Sequence, residues 1–318
     1  MLLDVDHLSI YIKSKHETKV LVRNISFHIG SNETLGVIGE SGCGKSILSL
    51  SLMGLLPDYM GFSADRIKLG GQDLQSFQRK DWQKIRGTKV AMIFQNPMSC
   101  LNPCLTIQTQ IFEVIKKQDP TLRYESMKEI AVNLLEQVGI RSPEKRLNNY
   151  PHELSGGMAQ RVMIAMAIAS KPDLLIADEP TTSLDANMQV QVLDLLKKII
   201  DRYKMSMMLV SHDINLIKNY SDRLQVMYSG QIVEAGDTQE VLNNPLHPYT
   251  KALLDSSTSA NVEPKSPLKT IPGIVLPITT NVRGCRFANR CFKAQDVCQS
   301  VMPPSHKTSP NNLYLCHF

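Results

Sequence analysis

The stretch Gly39–Ser46 (GESGCGKS) constrains the fold of this chain more than any other. It has the pattern G-x-x-x-x-G-K-[ST], whose backbone N–H groups wrap the phosphates of a nucleotide. The glycines allow backbone angles and a close approach that a Cβ would forbid. Lys45 can reach the β- and γ-phosphates, and the Ser46 hydroxyl can ligate Mg²⁺. The candidate phosphate-binding residues are Gly39, Glu40, Ser41, Gly42, Cys43, Gly44, Lys45 and Ser46.

The flanking sequence supports this interpretation of the loop. Thr34–Ile38 predicts a buried strand before the loop, and the residues from Ser46 to about Leu56 predict a helix after it. Phosphate would then lie at a helix N-terminus, where the helix dipole and the unpaired N–H groups favour anions. The chain is therefore expected to bind a nucleoside triphosphate.

Composition limits the class of protein. The 318 residues suit one large domain with an appendage, or two domains, and 42% hydrophobic residues supply an ample core. The net charge of +5 is too mild to indicate either a membrane surface or nucleic acid as a partner. No apolar run reaches the ~18 residues of a membrane span, and the first residues lack a signal-peptide pattern. We expect a cytoplasmic protein, at most peripheral to a membrane.

Three patterns follow one another along the chain. Alternating residues in Leu8–Ile12 and Ile25–Ile29 predict an antiparallel start. From about Pro97 to Gln160 the pattern is helical, and one apolar face is predicted to contain Met127, Ile130, Ala131, Leu134, Leu135 and Val138, with Gly139 as the stop. Buried strands that alternate with helices are predicted at Val90–Phe94 (a central strand), Leu174–Ala177 and Met207–Val210. Strands Leu224–Tyr228 and Gln231–Ala235 flank Ser229-Gly230, a predicted tight hairpin turn.

This order of elements predicts an α/β fold. Its core is a mostly parallel, doubly wound sheet around the phosphate loop, with an antiparallel β subdomain and a helical insert at about residues 97–160. Residues from about Ser256 to Pro277 are rich in Ser, Thr, Pro and Lys and predict a linker or extended arm.

Polar side chains follow three of the predicted strands. Asp178 comes at the end of one strand and can hold Mg²⁺, while Glu179 beside it can act as general base on the attacking water. His212, one strand further on, can stabilise charge on the γ-phosphate. Gln95 can orient water or Mg²⁺. Taken singly, each is more often an ordinary surface residue; together they predict a site that hydrolyses ATP.

A second helix start is predicted at Leu154–Arg161 (LSGGMAQR). Ser155 is a plausible N-cap, and Gly156 and Gly157 leave the first N–H groups open to another phosphate. Because Gly39–Ser46 already cradles one nucleotide, this helix predicts a contact with the ATP of a partner subunit.

These motifs together resemble the ATP-binding subunits of ABC transporters over roughly residues 1–250. In that resemblance Gly39–Ser46 is Walker A, Gln95 the Q-loop, Leu154–Gln160 the LSGGQ-type signature with Met158 replacing the commoner Gln, and Leu174–Asp178 Walker B, followed by the catalytic Glu179. Ser183-Leu184-Asp185 resembles the D-loop and His212 the switch histidine. The resemblance implies two such domains that sandwich two ATP molecules head to tail.

Two further stretches resemble the importers of oligopeptides, dipeptides and nickel. They are the extended Q-loop at 95–103 and the segment 244–254, which begins a C-terminal extension over 251–318. The resemblance implies two transmembrane permease subunits that dock near residues 95–104, and a second ATPase subunit, identical or not. It also implies an extracellular substrate-binding protein, no nucleic acid, and a position at the cytoplasmic face of the membrane. Peptides are the favoured cargo and nickel or a metal chelate the alternative; a soluble ABC ATPase of DNA repair or translation is the competitor from another class.

Four cysteines lie in the last 34 residues: Cys285, Cys291, Cys298 and Cys316. Disulfides are disfavoured in a reducing compartment, and four thiolates suit Zn²⁺ or an iron–sulfur cluster. The spacing is not the C-x2-C pattern of zinc sites. Gly284–Phe287 and Arg290-Cys291 resemble the extension of importers of which some carry a [4Fe–4S] cluster. A cluster with a structural role and no metal at all stay open alternatives, with zinc behind both.

Overall fold

The chain forms two units, and its path runs through the first, the second and the first again. Unit 1 comprises Met1–Ser76 and Leu209–Phe318, and unit 2 comprises Phe77–Met208. The computed structural model describes residues 1–13, 17–182, 184–257, 270–309 and 312–318. Much of the predicted linker at 256–277, and Ser183 of the predicted D-loop, lie outside the described residues.

Unit 1 begins with the antiparallel strands that the alternating pattern predicts. Its elements up to Ser76 are β1 (Leu3–Lys13), β2 (Thr18–Ile29), β3 (Thr34–Ile38), α1 (Lys45–Leu52), β4 (Met60–Ser63), β5 (Arg66–Leu69) and β6 (Gln72–Asp73). One sheet has the order β2-β1-β5-β6, and β4 also pairs with β1. Leu3, Val5, Leu8 and Ile10 of β1 are at most 2% exposed, so the apolar residues of this strand form its buried face.

Helix α1 is shorter than predicted. It ends at Leu52 rather than near Leu56, and Met53 is its C-cap. Gly54 takes a φ of +60°, which ends the helix, and the N–H of Leu55 donates back to the carbonyl of Leu50. The apolar Leu55 and Leu56 extended the helical pattern, but the glycine decides where the helix stops.

Unit 2 contains the predicted helical insert. Its elements are α2 (Arg79–Ile85), β7 (Val90–Ile93), α3 (Pro97–Cys100), α4 (Ile107–Gln118), α5 (Tyr124–Gln137), α6 (Pro143–Leu147), α7 (Gly156–Ile168), β8 (Leu174–Asp178) and α8 (Ala186–Tyr203). Strands β7 and β8 pair in parallel. Gly139 has a φ of +75° just after α5 and ends that helix as predicted.

Two expectations about unit 2 are wrong. Strand β7 is an end strand and not a central one, since β8 is its one strand partner among the described residues. It is nevertheless buried along its whole length and contacts α7. Its apolar run therefore indicates that both faces of the strand are buried, and not that the strand is central in the sheet. Ile130 was predicted on the buried face of α5 but is 36% exposed, whereas Met127, Ala131, Leu134 and Leu135 are buried.

The chain returns to unit 1 within β9. The remaining elements are β9 (Ser206–Ser211), α9 (Ile214–Tyr220), β10 (Arg223–Tyr228), β11 (Gln231–Asp237), α10 (Thr238–Asn243), α11 (Pro248–Ser257), α12 (Asp296–Ser300), β12 (Ser305–Lys307) and β13 (Leu313–Leu315). Strand β3 runs parallel to β10, and β10 and β11 form the predicted hairpin. Its turn, Ser229-Gly230, has both φ angles positive, at 44° and 83°.

The C-terminal region is built into unit 1 more firmly than its polar sequence predicts. Strand β13 pairs antiparallel with β11, and β12 pairs with β13. Phe287, Arg286 and Arg290 are buried, although the sequence around the cysteines contains little apolar material. Among the described residues of the chain, no helix is both long and apolar enough to cross a membrane.

Candidate active site

The phosphate loop joins β3 to α1 in unit 1, as predicted. All five residues of β3 are buried. Gly44, the N-cap of α1, has a φ of +108°, which disfavours an L side chain. A Cβ at Gly39 would overlap the carbonyl oxygen of Met227. The glycines therefore serve a left-handed turn at one end of the loop and a close backbone approach at the other.

Lys45 lies inside the loop. Its side chain is buried, and its Nζ donates to the carbonyl oxygens of Gly39 at 2.8 Å and of Glu40 at 3.2 Å. This brings a positive charge to the residues that would meet a phosphate. Cys43 beside it is also buried, and burial raises the pKa of its thiol. The loop thus presents an ammonium group and a neutral thiol.

His212 lies in unit 1, between β9 and α9, and is exposed. Ser211 before it is buried, and Asp213 after it caps α9 by accepting from the N–H of Asn215 at 2.8 Å. The histidine therefore sits on a well-anchored turn that follows a buried strand.

Unit 2 brings Gln95 and Glu179 together. Asp178 is the buried last residue of β8, and Glu179 follows it with a φ of +47°. The Nε2 of Gln95 donates to Oε2 of Glu179 at 3.1 Å, and the hydroxyl of Thr182 donates to the same oxygen at 2.8 Å. A carboxylate oriented in this way, beside a buried acid, can position a water for attack.

The signature motif opens α7 as predicted. Ser155 is its N-cap, and its hydroxyl accepts from the N–H of Met158 at 3.3 Å. A Cβ added at Gly156 would meet nothing within 4 Å, so the start of this helix has open space around it. These features leave the helix N-terminus suited to an anion.

Gln160 closes the signature stretch Leu154–Gln160, but sequence reasoning assigned it no role of its own. It is 1% exposed, and its amide donates to the carbonyl of Pro180 at 2.7 Å. It thereby ties α7 to the turn that follows Asp178 and Glu179. Its signal was a glutamine one turn into the helix, just before Arg161 and the apolar run 162–168.

Asp185, predicted at the nucleotide, is the N-cap of α8. Its carboxylate accepts from the N–H of Met188 at 2.9 Å. Phosphate-loop residues and His212 belong to unit 1, and Gln95, Asp178, Glu179, Ser155, Gly156, Gly157 and Asp185 belong to unit 2.

The four C-terminal cysteines line one cavity in unit 1, together with His247 and Phe287. Burial and the neighbouring cysteines raise the pKa of the Cys285 thiol to about 11. Four thiolates held at 2.3 Å by one zinc ion would lie about 3.8 Å apart. Among the described residues, no three of the sulfurs lie within 4.8 Å of one another. The four thiols are the donor set of a thiolate metal site, but they are not gathered at the distances that one bound zinc ion would give them.

Two family models match the chain. The model described as "ABC transporter" matches residues 22–182. The model described as "Oligopeptide/dipeptide transporter, C-terminal region" matches residues 233–298.

Curated relatives match over almost the whole chain. The dipeptide transport ATP-binding protein DppD of Escherichia coli is 42% identical over 100% of this chain and 96% of its own length. The oligopeptide transport ATP-binding protein AppD of Bacillus subtilis is 45% identical over 96% of this chain and 94% of its own. Among solved structures, a dimeric ATP-binding cassette in a post-hydrolysis state, bound to ADP and phosphate, has a TM-score of 0.64 and 25% identity over 74% of this chain and 99% of that chain.

Proposed function

We propose, since this chain belongs to the ABC transporter family, that it is the ATPase subunit of an importer of oligopeptides or dipeptides. The observation that carries the substrate class is the match of residues 233–298 to the model described as the C-terminal region of oligopeptide and dipeptide transporters. Near-complete coverage of relatives named for peptide transport supports it. The α/β fold with its antiparallel subdomain and helical segment is that of ABC ATPases.

The chain is an ATP hydrolase that dimerises and works with membrane permease subunits, as ABC ATPases of importers do. It acts at the cytoplasmic face of the membrane as a peripheral subunit. We further propose two permeases, a second ATPase subunit that is identical or related, and an extracellular binding protein that delivers the peptide. Nucleic acid has no part in this function.

In unit 1, N–H groups of the loop Gly39–Ser46 wrap the phosphates of ATP, with the exception of the Glu40 N–H, which donates to the Tyr249 hydroxyl. Lys45 contacts the β- and γ-phosphates, Ser46 supplies a hydroxyl oxygen to Mg²⁺, and His212 stabilises charge on the γ-phosphate. The left-handed turn at Gly44 and the buried Lys45 support these roles.

In unit 2, Glu179 is the general base, and Asp178 and Gln95 supply oxygens to Mg²⁺. All three donors proposed for Mg²⁺ (Ser46, Asp178 and Gln95) offer the hard oxygen ligands that this ion prefers. The Gln95 amide nitrogen donates to Glu179, which leaves its oxygen as the atom for a cation. Ser155, Gly156 and Gly157 contact the ATP held by the partner subunit, and Asp185 lies near the nucleotide.

The proposed domain boundary stands at residue 250. The ATPase domain would cover 1–250, with its helical subdomain at about 97–160, and the importer-type extension would cover 251–318 with the cysteine-lined cavity. Most of the residues that line this cavity, including all four cysteines, belong to the extension, while His247 and Pro248 precede the boundary.

Uptake assays test the peptide assignment. Cells that lack the gene for this chain should lose uptake of labelled dipeptides or oligopeptides and keep uptake of nickel. Re-expression of the wild-type chain should restore peptide uptake, and so should Glu129→Gln, a change on the exposed face of α5. Glu179→Gln should not restore it.

The opposite result has a defined meaning. Loss of nickel uptake with intact peptide uptake would make this chain the ATPase of a nickel or metal-chelate importer. Co-purification from membranes with ribosomes or DNA, and with no permease, would overturn the transport function itself.

We also propose that Cys285, Cys291, Cys298 and Cys316 hold a [4Fe–4S] cluster with a structural role. The cavity that all four cysteines line supports this assignment. When bound, such a cluster would replace missing apolar packing by metal–thiolate bonds.

Elemental analysis of anaerobically purified chain tests the cluster. Iron, inorganic sulfide and visible absorbance should be present in the wild type and absent from the Cys291→Ala/Cys298→Ala variant. The Cys100→Ala/Cys104→Ala variant is the matched control, because both cysteines are exposed and lie outside the cavity. No iron in the wild type would overturn the proposal, and stoichiometric zinc would replace it.

A further inference from the structure

Glu40, the second residue of the phosphate loop, is held by three other residues. Its N–H donates to the hydroxyl of Tyr249 at 3.0 Å, and its carbonyl accepts from Lys45. Its carboxylate accepts from both terminal nitrogens of Arg290, at 2.6 and 3.0 Å. Two of these partners, Tyr249 and Arg290, lie more than 200 residues further along the chain. The loop is therefore fixed from outside the motif that defines it.

Arg290 is itself locked in place. It ends a short 3₁₀ turn just before Cys291, and its side chain is 5% exposed. Its Nε donates to the carbonyl of Pro272 at 3.0 Å, and Nη2 also donates to that of Ile271 at 3.2 Å. The paired hydrogen bonds to Glu40 raise the pKa of the guanidinium, so its charge is constant. A planar group held at three points can aim two parallel bonds at one carboxylate.

Aromatic packing supports the same contact. The rings of Tyr228, Tyr249 and Phe287 are buried, with centroids 4.7 to 5.3 Å apart. The Arg290 guanidinium lies 5.9 Å from the centre of the Tyr228 ring. The C-terminal region, the β10–β11 hairpin and the phosphate loop thus share one packed cluster within unit 1.

The charge of Glu40 is unfavourable for the ligand of its own loop. A carboxylate in the phosphate loop repels the triphosphate of ATP, and the repulsion is strong where water is partly excluded. The Glu40 side chain is 26% exposed, so solvent screens it only in part. Pairing with Arg290 offsets this charge.

We propose that Arg290 is a positioning residue of the ATP site: by pairing with Glu40 it holds the loop in place and offsets a carboxylate that would repel the phosphates. The C-terminal region is then a working part of ATP binding in this chain. The inference holds for any cargo, and it holds with or without metal in the cysteine-lined cavity.

Equilibrium binding of a fluorescent ATP analogue with Mg²⁺ to the full-length chain tests the proposal. Arg290→Ala should raise Kd by about tenfold, within the usual range for coupling between sites. The loss should shrink at high salt, which screens the exposed part of the Glu40 charge. The Arg290→Ala/Glu40→Gln double variant should recover part of the lost affinity, because it removes the repelling carboxylate but does not restore the pair that holds the loop.

Arg223 offers a matched control in the same unit. It pairs with Glu33 at 3.0 Å, and both side chains are 15% exposed. Arg223→Ala should lower the melting temperature but leave Kd for the ATP analogue unchanged. A folded Arg290→Ala chain with wild-type Kd, or a double variant as weak as the single one, would overturn the proposal.

Arg290→Lys serves if the alanine variant does not fold. It keeps the positive charge but loses the paired geometry, so KM for ATP in the assembled importer should rise about threefold, with kcat unchanged. An unchanged KM, with only a lower melting temperature, would make Arg290 a structural residue and overturn the inference.

Discussion

Glu179 takes an unusual backbone conformation for its residue type. Its φ of +47° lies in the left-handed region, which costs a side chain other than glycine about 1 kcal/mol or more. The turn directs its carboxylate to the side chains of Gln95 and Thr182. At the scale of a single residue, the strained backbone of Glu179 goes together with a fixed position of its Oε2 atom.

Replacing Glu179 by Gln tests its role as the base. The amide keeps the shape and can still accept from Gln95 and Thr182, but it cannot take a proton from water. Affinity for ATP should stay within about twofold, and hydrolysis should fall by about a hundredfold or more. Phosphate release by the importer complex and nucleotide binding by the chain give the two readings. Glu129→Gln controls for the loss of one charge, and undiminished hydrolysis in Glu179→Gln would exclude the base role.

At the scale of the secondary-structure element, several motif residues also cap the helices that follow them. Ser155 caps α7, Asp185 caps α8 and Asp213 caps α9, each by accepting from a backbone N–H in the first turn. An N-cap contributes about 1 kcal/mol. A defect at such a position therefore mixes a loss of stability with any loss of function.

Two substitutions at Asp185 separate these effects. Asp185→Ala should destabilise the chain by about 1 kcal/mol, whereas Asp185→Asn should keep the cap and the stability, since Asn caps as well as Asp. Thermal unfolding measures the first effect and ATP hydrolysis the second. Lower hydrolysis in the stable Asn variant would assign the charge a role at the nucleotide; unchanged hydrolysis would leave Asp185 as a cap alone.

Sequence patterns predicted the elements that are determined by interactions between neighbours in sequence. The five buried residues of β3, the loop glycines, the Ser155 cap and the Ser229-Gly230 hairpin all follow from neighbours in sequence. Strand β7 was misplaced because an apolar run reports burial and not the number of strand partners. Strands β12 and β13 were missed because three residues each carry too short a pattern.

The contacts that complete the site were beyond sequence reasoning for a different reason. Gln160 and Arg290 are polar residues whose partners, Pro180 and Glu40, are chosen by tertiary packing. Asp178, Glu179 and Gln95 could be predicted because parallel strands bring their carboxyl ends to one edge. No comparable rule predicts a salt bridge between residues such as Glu40 and Arg290, which lie 250 positions apart in sequence.

At the scale of the whole molecule, His247 joins the C-terminal region to the rest of unit 1. It is 2% exposed. Its backbone N–H donates to the Glu234 carboxylate, and its ring Nδ1 accepts from the backbone N–H of Tyr249. Burial lowers the pKa of its imidazole to about 3. The unfolded chain takes up this proton near pH 6.5 and the folded chain does not, so stability is lost as pH falls from 6.5 toward 3.

Urea unfolding at pH 7.5 and pH 5.0 measures this loss. His247 should contribute about 2 kcal/mol of destabilisation at the lower pH. His247→Asn keeps an acceptor for the Tyr249 N–H and lacks the titrating ring. Its free energy of unfolding should therefore fall by about 2 kcal/mol less than that of the wild type between pH 7.5 and pH 5.0. Glu234, whose pKa burial raises, acts in the opposite sense and is common to both proteins. Equal pH dependence in the two chains would contradict the assignment.

The pairing of Glu40 with Arg290 spans 250 positions of sequence. A ribosome that adds 5–20 residues per second releases Arg290 roughly 12 to 50 seconds after Glu40. During that interval the phosphate loop is already made, but it carries an unpaired carboxylate. A nascent chain would therefore bind ATP weakly until the segment that contains the cysteines has emerged from the ribosome. The order of synthesis would thus delay ATP binding until the whole of unit 1 can fold.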